Sequence, residues 1–204
     1  MKRDFYKIIS VLFILFIVTV SSIIAQNLSD VGVVINGVKW ATRNVDKPGT
    51  FAAKPEDAGM LYQWNRITGW NPAEDEITGW ERSMSKGNTW EKANDPCPSG
   101  WRVPTIFELQ NLLDSDKKWM TRNGVNGCLF GTGDNTIFLS AAGGGIDPKG
   151  QLFNQGKNGY YWSATIGDID TTMDSYFMFI NNIAQDKSSI GVRSSGYSIR
   201  CIAE

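Results

Sequence analysis

Apolar and polar residues alternate in short runs along most of the chain, and one stretch has helical spacing instead. Its apolar residues recur at intervals of three or four and share one face: Ile106, Leu109, Leu112 and Leu113. Thr105 and Glu108 have the spacing of a capping box at the start of this stretch. Because the prolines at residues 96–104 disfavour any regular element, the pattern predicts a capped amphipathic helix after rigid extended chain.

The short apolar runs predict strands. Asn36-Gly37, between residues 31–35 and 38–41, is a strong hairpin signal because both turn residues tolerate positive φ. The other runs of this kind are residues 60–64, 128–130, 136–142, 159–165, 175–181 and 196–202. The run 175–181 is apolar at nearly every position, which predicts a central strand. One helix and many short strands predict an α+β fold with a mainly antiparallel sheet.

The stretches between these runs are interpreted as irregular chain. Residues 68–94 form the longest, and connections of that length are uncommon in compact domains unless they are functional. Trp70 and Trp80 in this excursion are therefore the second place to look for a ligand site. Residues 114–126 are interpreted as polar chain that turns back, with Trp119 as a core anchor, and Gly143-Gly144-Gly145 as a flexible turn.

Length and composition fit one globular domain after an exported leader. The chain has 204 residues, of which 42% are hydrophobic and 20% charged, so it has enough apolar residues for a core. Its eight tryptophans are interpreted mostly as core residues, and the alternative is a set of sugar-stacking surfaces.

The first 25 residues are predicted to be a signal peptide. Lys2, Arg3 and Lys7 precede an apolar run at residues 8–20, and a retained membrane anchor is the alternative. Cleavage after Ala25 would leave residues 26–204 as a single domain with no stable membrane span, secreted or at the cell surface. It would also change the formal charge from −1 to about −3, which argues against a nucleic-acid partner.

Candidate chemistry is sparse. The chain has no histidine, which removes the activated serine and cysteine nucleophiles and the usual zinc sites. Ser83 and Lys86 have a Ser-x-x-Lys spacing but lack the partner motifs of penicillin-binding enzymes. Three acidic residues offer oxygen ligands for calcium or form a solvated turn: Asp168, Asp170 and Asp174. We therefore expect no enzyme activity and no cofactor.

The run from Pro96 to Thr105, PCPSGWRVPT, resembles the signature of the Fibrobacter succinogenes major paralogous domain family. Further stretches agree with that family in order: residues 36–44, 61–64, 124–127, 139–143, 159–165 and 196–202. The resemblance implies a fold similar to C-type lectins and formylglycine-generating enzymes, and a surface location.

The resemblance also bears on the three cysteines, which allow three single pairings. It implies a disulfide between Cys97 and Cys201, because the family pattern places the Pro-Cys-Pro segment beside the terminal Arg-Cys strand. Cys128 is then free, and a lone thiol does not supply the redox cysteine pair of formylglycine-generating enzymes. The chain also lacks the Glu-Pro-Asn and Gln-Pro-Asp calcium motifs of sugar-binding C-type lectins, so calcium-dependent sugar binding of that type is not expected.

Two functions remain from the sequence. The first is recognition of a glycan or a surface protein through C-terminal loops, an exposed face in C-type-lectin-like domains. Its candidate ligand residues are Trp162, Asn181, Asn182, Arg193 and Tyr197. If the apolar neighbours of Trp162 place it in the core, the site is expected near Trp70 and Trp80 instead. The second function is that of a structural subunit of a surface fibre or envelope complex.

Overall fold

The fold is taken from a computed structural model that describes residues 30–72, 79–145, 151–183 and 187–204. The predicted signal peptide, residues 1–25, lies outside these residues. In the part of the chain that is described, no helix is long and apolar enough to cross a membrane. Residues Val31–Glu204 form one compact unit.

The described residues form short strands and one α-helix. In chain order the elements are β1 (Val33–Ile35), β2 (Val38–Trp40), β3 (Leu61–Gln63), β4 (Gly69–Trp70), β5 (Trp101–Arg102), α1 (Ile106–Leu113), β6 (Lys117–Arg122), β7 (Val125–Thr132), β8 (Asn135–Ser140), β9 (Gly144–Gly145), β10 (Leu152–Phe153), β11 (Asn158–Ile166), β12 (Asp174–Asn181), β13 (Lys187–Val192), β14 (Gly196–Tyr197) and β15 (Ile202–Ala203). A single 3₁₀ turn, Lys92–Asn94, precedes β5.

The strands form four sheets, in which neighbouring strands are antiparallel. Their orders are β1-β2-β15-β5, β10-β9-β14-β3-β4, β11-β12-β13 and β6-β7-β8. In the first sheet Trp40 of β2 pairs with Ile202 of β15, so the start and the end of Val31–Glu204 meet in one sheet. The mainly antiparallel α+β class predicted from the sequence is confirmed.

The two strongest local signals produce the predicted elements. Asn36 and Gly37 have φ of 48° and 81°, and they join β1 to β2 in a hairpin. At α1 the backbone N–H of Thr105 donates to Oε2 of Glu108 at 2.7 Å, which completes the capping box. Burial raises the pKa of Glu108, but hydrogen bonds from Arg102 and Thr105 outweigh it and hold that pKa below its ordinary value.

Two hydrophobic clusters form the interior. The first surrounds the buried face of α1, which packs on β11, β12 and β13. The second is aromatic and lies around β3, β11 and β14. Six of the eight tryptophans are buried, as predicted for most of them, and Trp70 and Trp119 are partly exposed.

Four segments differ from the sequence prediction. Residues 114–126, interpreted as turning polar chain, contain β6, and the polar C-terminal region interpreted as loops contains β13. Both strands lie at sheet edges, where charged and polar side chains are common because they discourage pairing with another chain. The predicted strand at residues 196–202 is instead two short strands, β14 and β15, in different sheets. Gly144–Gly145 is a strand, β9, and not a flexible turn.

The predicted disulfide between Cys97 and Cys201 is present, and it links residues 104 positions apart. Cys128 is free and fully buried. Burial raises the pKa of its thiol to about 12, so the reactive thiolate is scarce at neutral pH. Cys128 therefore acts as a small apolar residue of β7.

Candidate functional site

Two of the residues predicted to bind a ligand, Trp162 and Tyr197, belong to the aromatic interior. They are 0% and 3% exposed, and their ring centroids are 4.4 Å apart. Nε1 of Trp162 donates to the carbonyl of Tyr62 at 2.7 Å, so its polar atom is also used inside the protein. Neither side chain is available to a ligand on the surface, which corrects the prediction for both.

Arg193 is the third predicted ligand residue, and its side chain is buried and holds other parts of the chain through hydrogen bonds. It is 1% exposed, and its Cζ lies 4.1 Å from the ring centroid of Trp64, a cation–π geometry. Its guanidinium donates to acceptors on two segments, residues 85–87 and 171–175: the carbonyls of Ser85, Gly87, Thr171 and Asp174, and Oγ of Ser175. Arg193 thus ties the excursion to the β12 end of the molecule, and its prediction as a ligand residue is also corrected.

Asn181 and Asn182 do lie at the surface, but far from Arg193. Oδ1 of Asn181 accepts the backbone N–H of Ile183 at 2.8 Å, which shapes the chain after β12, and Asn182 is exposed. Asp174, at the Arg193 end of β12, is seven residues from Asn181, or roughly 23 Å at the rise of a strand. The structure therefore does not bring the five predicted residues together.

Trp70 and Trp80 are also unsuited to stack on a sugar as a pair. Their ring centroids lie 5.4 Å apart, and Trp80 is only 8% exposed. A Cβ added at Gly196 would lie 2.4 Å from the Trp80 ring, so the glycine of β14 makes room for that indole. The excursion is anchored to the sheet by this contact.

The excursion itself builds two clefts on the surface. The first cleft has a volume of about 390 Å³ and is lined by Asn65, Arg66, Ile67, Thr68, Met84, Ser85, Lys86, Glu91 and Asn94. The second cleft, of about 440 Å³, is lined by Met84, Ser85, Lys86, Gly87, Asn88, Thr171, Thr172, Met173 and Arg193. Residues 84–86 line both and are called the shared wall. Both volumes lie in the range of small-ligand sites.

Two buried side chains hold the shared wall. Asn65 donates from Nδ2 to the carbonyl of Lys86 at 2.9 Å, and its Oδ1 accepts the backbone N–H of Glu91 at 2.8 Å. Arg193 donates from Nη1 to the carbonyl of Ser85 at 3.1 Å. Because the bonds are to backbone atoms, the side chain of Lys86 remains free to face solvent, where it is exposed. The wall is therefore fixed before any ligand arrives, a property that favours binding.

Sequence reasoning found the excursion but not these residues. Asn65 has a positive φ of 52°, a backbone region that asparagine enters more readily than most residues. An asparagine directly after the predicted strand 60–64 was therefore the one available signal for a turn at this point. Nothing local marks the lining residues Thr68, Ser85 and Lys86, because the tertiary contacts of the excursion bring them together.

Two polar atoms that belong to lining residues of the first cleft lack hydrogen-bond partners among the described residues. They are Nε of Arg66 and Oγ of Ser85, both enclosed from water. Each enclosed and unpaired polar atom costs roughly 1–3 kcal/mol. The other end of the Arg66 guanidinium is held, since Nη2 donates to the carbonyl and the hydroxyl of Ser83. Ser83 is thus engaged by Arg66, and the structure gives its hydroxyl no contact with Lys86.

The unpaired hydroxyl of Ser85 leads to a stability prediction with a matched control. We expect Ser85→Ala to leave the free energy of unfolding unchanged or to raise it by up to about 1 kcal/mol, because the substitution removes an unsatisfied buried group. Ser175→Ala should instead lower it by about 1–2 kcal/mol, because Oγ of Ser175 accepts from Nε of Arg193 at 3.1 Å. Urea denaturation followed by circular dichroism measures both values. Equal losses for the two variants would contradict the prediction.

Two of the three acidic residues considered for calcium make local contacts. Oδ1 of Asp170 accepts from the backbone N–H and the hydroxyl of Thr172, at 2.9 and 2.6 Å. Asp168 bonds to the hydroxyl of Tyr176, which raises the pKa of that tyrosine. Over residues 30–72, 79–145, 151–183 and 187–204, no three His, Cys, Asp or Glu side chains are grouped to hold a metal ion.

Comparisons with protein-family models, with curated proteins and with solved structures find no match to this chain. The resemblance to the major paralogous domain family therefore remains a prediction from the sequence motifs.

Proposed function

We propose that the protein is an exported, non-catalytic binding module of C-type-lectin-like fold that recognises a glycan or a protein at the cell surface. The observation that carries this proposal is the shared wall, residues 84–86, which lies between two open clefts. The ligand site is therefore expected at the excursion, and not at the C-terminal loops predicted from the sequence. Arg193 is a positioning residue for this site, because its guanidinium donates to the carbonyls of Ser85 and Gly87 and so holds the shared wall.

The side chains that line the clefts favour a ligand-binding role for the excursion over a role in covering the core. A segment that only covered the core would bury its apolar side chains and leave its polar ones in water. Here Asn65 is 4% exposed, and both the nitrogen and the oxygen of its side-chain amide form hydrogen bonds with the backbone around the first cleft. The exposed side chains that remain in the cleft, those of Ile67, Thr68, Lys86 and Glu91, combine apolar surface with a hydroxyl and both charges. Such a mixture suits recognition of a polar ligand.

The absence of histidine from the sequence and the burial of Cys128 support a non-catalytic role. Both remove common nucleophiles and general bases from the surface. The exported location rests on the predicted signal peptide, and the C-type-lectin-like fold rests on the sequence resemblance.

A screen of the purified mature domain against a glycan array and a panel of surface proteins tests the proposal. Thr68 is exposed in the first cleft, so Thr68→Trp should fill the cleft and lower affinity for the ligand found by at least about tenfold, without loss of stability. The matched control is Thr121→Trp, at an exposed position of the edge strand β6. A ligand whose affinity is unchanged by Thr68→Trp, or is lowered equally by the control, would place the site elsewhere.

One observation favours the second candidate, a structural subunit of a fibre or envelope complex. β13 is an edge strand in its sheet and has one charged residue, Lys187 at its start, whereas the edge strand β6 carries Lys117, Lys118 and Arg122. Uncharged edges accept a further strand more readily than charged ones. Co-purification of the native protein with a surface assembly, together with an empty screen, would favour this function.

A further inference from the structure

The side chains of the first cleft fall into two groups by what they already bind. Asn65 has both ends of its amide engaged by the backbone of Lys86 and Glu91 and by the side chain of Asn94. The ammonium of Lys86 and the hydroxyl of Thr68 make no hydrogen bond or ion pair with any described residue. The second group is therefore available to a ligand, and its chemistry indicates which ligand fits.

The cationic groups of this cleft are suited to a carboxylate. Nη2 of Arg66 is fixed by two bonds to Ser83, at 3.1 and 2.9 Å, which orients the guanidinium plane. Nε of the same group is unpaired but enclosed from water, so the guanidinium offers its charge to a ligand in the cleft and not a hydrogen bond from Nε. The exposed ammonium of Lys86 adds a second positive charge, and the two cations together attract a carboxylate.

The rest of the lining limits how much negative charge the ligand carries. Glu91 is exposed in the same cleft, so the charged lining residues are two cations and one carboxylate. Glu91 repels every negative group of a ligand, so a densely sulfated or phosphorylated chain is disfavoured more than a ligand with one carboxylate and several hydroxyls. Thr68 and Asn94 supply hydroxyl and amide groups for such hydroxyls, and Ile67 offers apolar surface, 39% exposed, to a sugar face.

We infer that the first cleft takes an acidic sugar, a uronic acid unit of a glycan, with its carboxylate on Arg66 and Lys86. This inference rests on the proposed function, since it names the ligand class for the same cleft. Glu91 accepts hydrogen bonds from ring hydroxyls and selects against polyanions. Arg66 and Lys86 are binding residues in this arrangement, and Ser83 is a positioning residue for Arg66.

Isothermal titration calorimetry with three probes tests the inference: a galacturonate pentamer that is methyl-esterified on all units but one, a neutral galactose pentamer and a sulfated dextran fragment. We expect the wild-type domain to bind the galacturonate pentamer at least about tenfold more tightly than the neutral one, and affinity to fall as salt rises. Lys86→Gln should remove most of that preference. Arg66→Lys keeps the charge but loses the two bonds to Ser83 that fix its position, so it should weaken binding of the acidic probe alone.

The control for charge is Lys118→Gln, an exposed lysine of β6 outside both clefts. If Lys118→Gln lowers binding of the galacturonate pentamer as much as Lys86→Gln does, the attraction is general and the inference is wrong. Equal binding of the acidic and neutral pentamers, both blocked by Thr68→Trp, would overturn the acidic class and leave the proposed function standing. Tighter binding of the sulfated fragment, or no binding of any probe to the folded domain, would also overturn the inference, and the wider screen would then judge the proposed function separately.

Discussion

Replacing Cys97 and Cys201 together by alanine is expected to lower the free energy of unfolding by roughly 4–5 kcal/mol. The bridge closes a loop between residues 104 positions apart, and the chain-entropy model gives a stabilisation of that size for such a loop. Most single domains are stable by about 5–15 kcal/mol, so the loss is a large share of the total. The effect is large also because of where the bridge lies. Cys201 is fully buried directly before β15, which pairs with both β2 and β5.

Denaturant unfolding of the oxidised protein and of the double variant measures this difference. Cys128→Ala is the matched control, because it removes a buried sulfur without removing a cross-link, and it should cost about 1 kcal/mol. Peptide mapping without reduction provides a direct check on the pairing. A peptide that joins Cys128 to either of the other cysteines, or a double variant as stable as the parent, would contradict the assignment.

Elements specified by neighbouring residues were predictable from the sequence. The capping box of Thr105 and Glu108 begins α1 where predicted, and Asn36-Gly37 forms the β1–β2 hairpin. In both cases the side chains that decide the structure are within a few residues of the backbone they shape, so no distant contact can override them. α1 also ends at Leu113, which is the last residue of the predicted apolar face.

Elements specified by distant residues were not predictable. β6 reads KKWMTR and β13 reads KSSIGV, and both lack a continuous apolar run because they are edge strands. The stretch at residues 196–202 looks like one strand, yet β14 pairs with β3 and β9 while β15 pairs with β2 and β5. Only the arrangement of the partner strands separates the two.

The errors at the site have a similar cause. Arginine is rarely buried, so Arg193 in a polar stretch was predicted to be on the surface. Its burial depends on four carbonyls and one hydroxyl that lie between 18 and 108 residues away along the chain. Arg200 is similar: it is fully buried and donates to Oδ1 of Asn44 and to the carbonyls of Ala41 and Phe138. No local pattern reveals so distributed a set of acceptors.

Replacing Trp162 by alanine is the substitution that best separates a structural role from a ligand role. We expect the free energy of unfolding to fall by about 3–5 kcal/mol, the usual cost of removing a buried aromatic side chain. The ring contacts Phe177 and Tyr197, at centroid distances of 6.1 and 4.4 Å, and is 0% exposed. The variant also removes the donor to the carbonyl of Tyr62, which would be left unpaired inside the aromatic cluster.

Trp162→Phe and Asn182→Ala complete the test. Phenylalanine keeps most of the packing and loses the N–H donor, so the loss should be intermediate, about 1–2 kcal/mol. Asn182 is exposed, and its replacement should change stability by less than about 0.5 kcal/mol. Urea unfolding followed by far-ultraviolet circular dichroism gives all three values. If Trp162→Ala were as stable as the parent and lost only affinity for a ligand, the indole would belong to a binding surface, and the burial that assigns it to the interior would be contradicted.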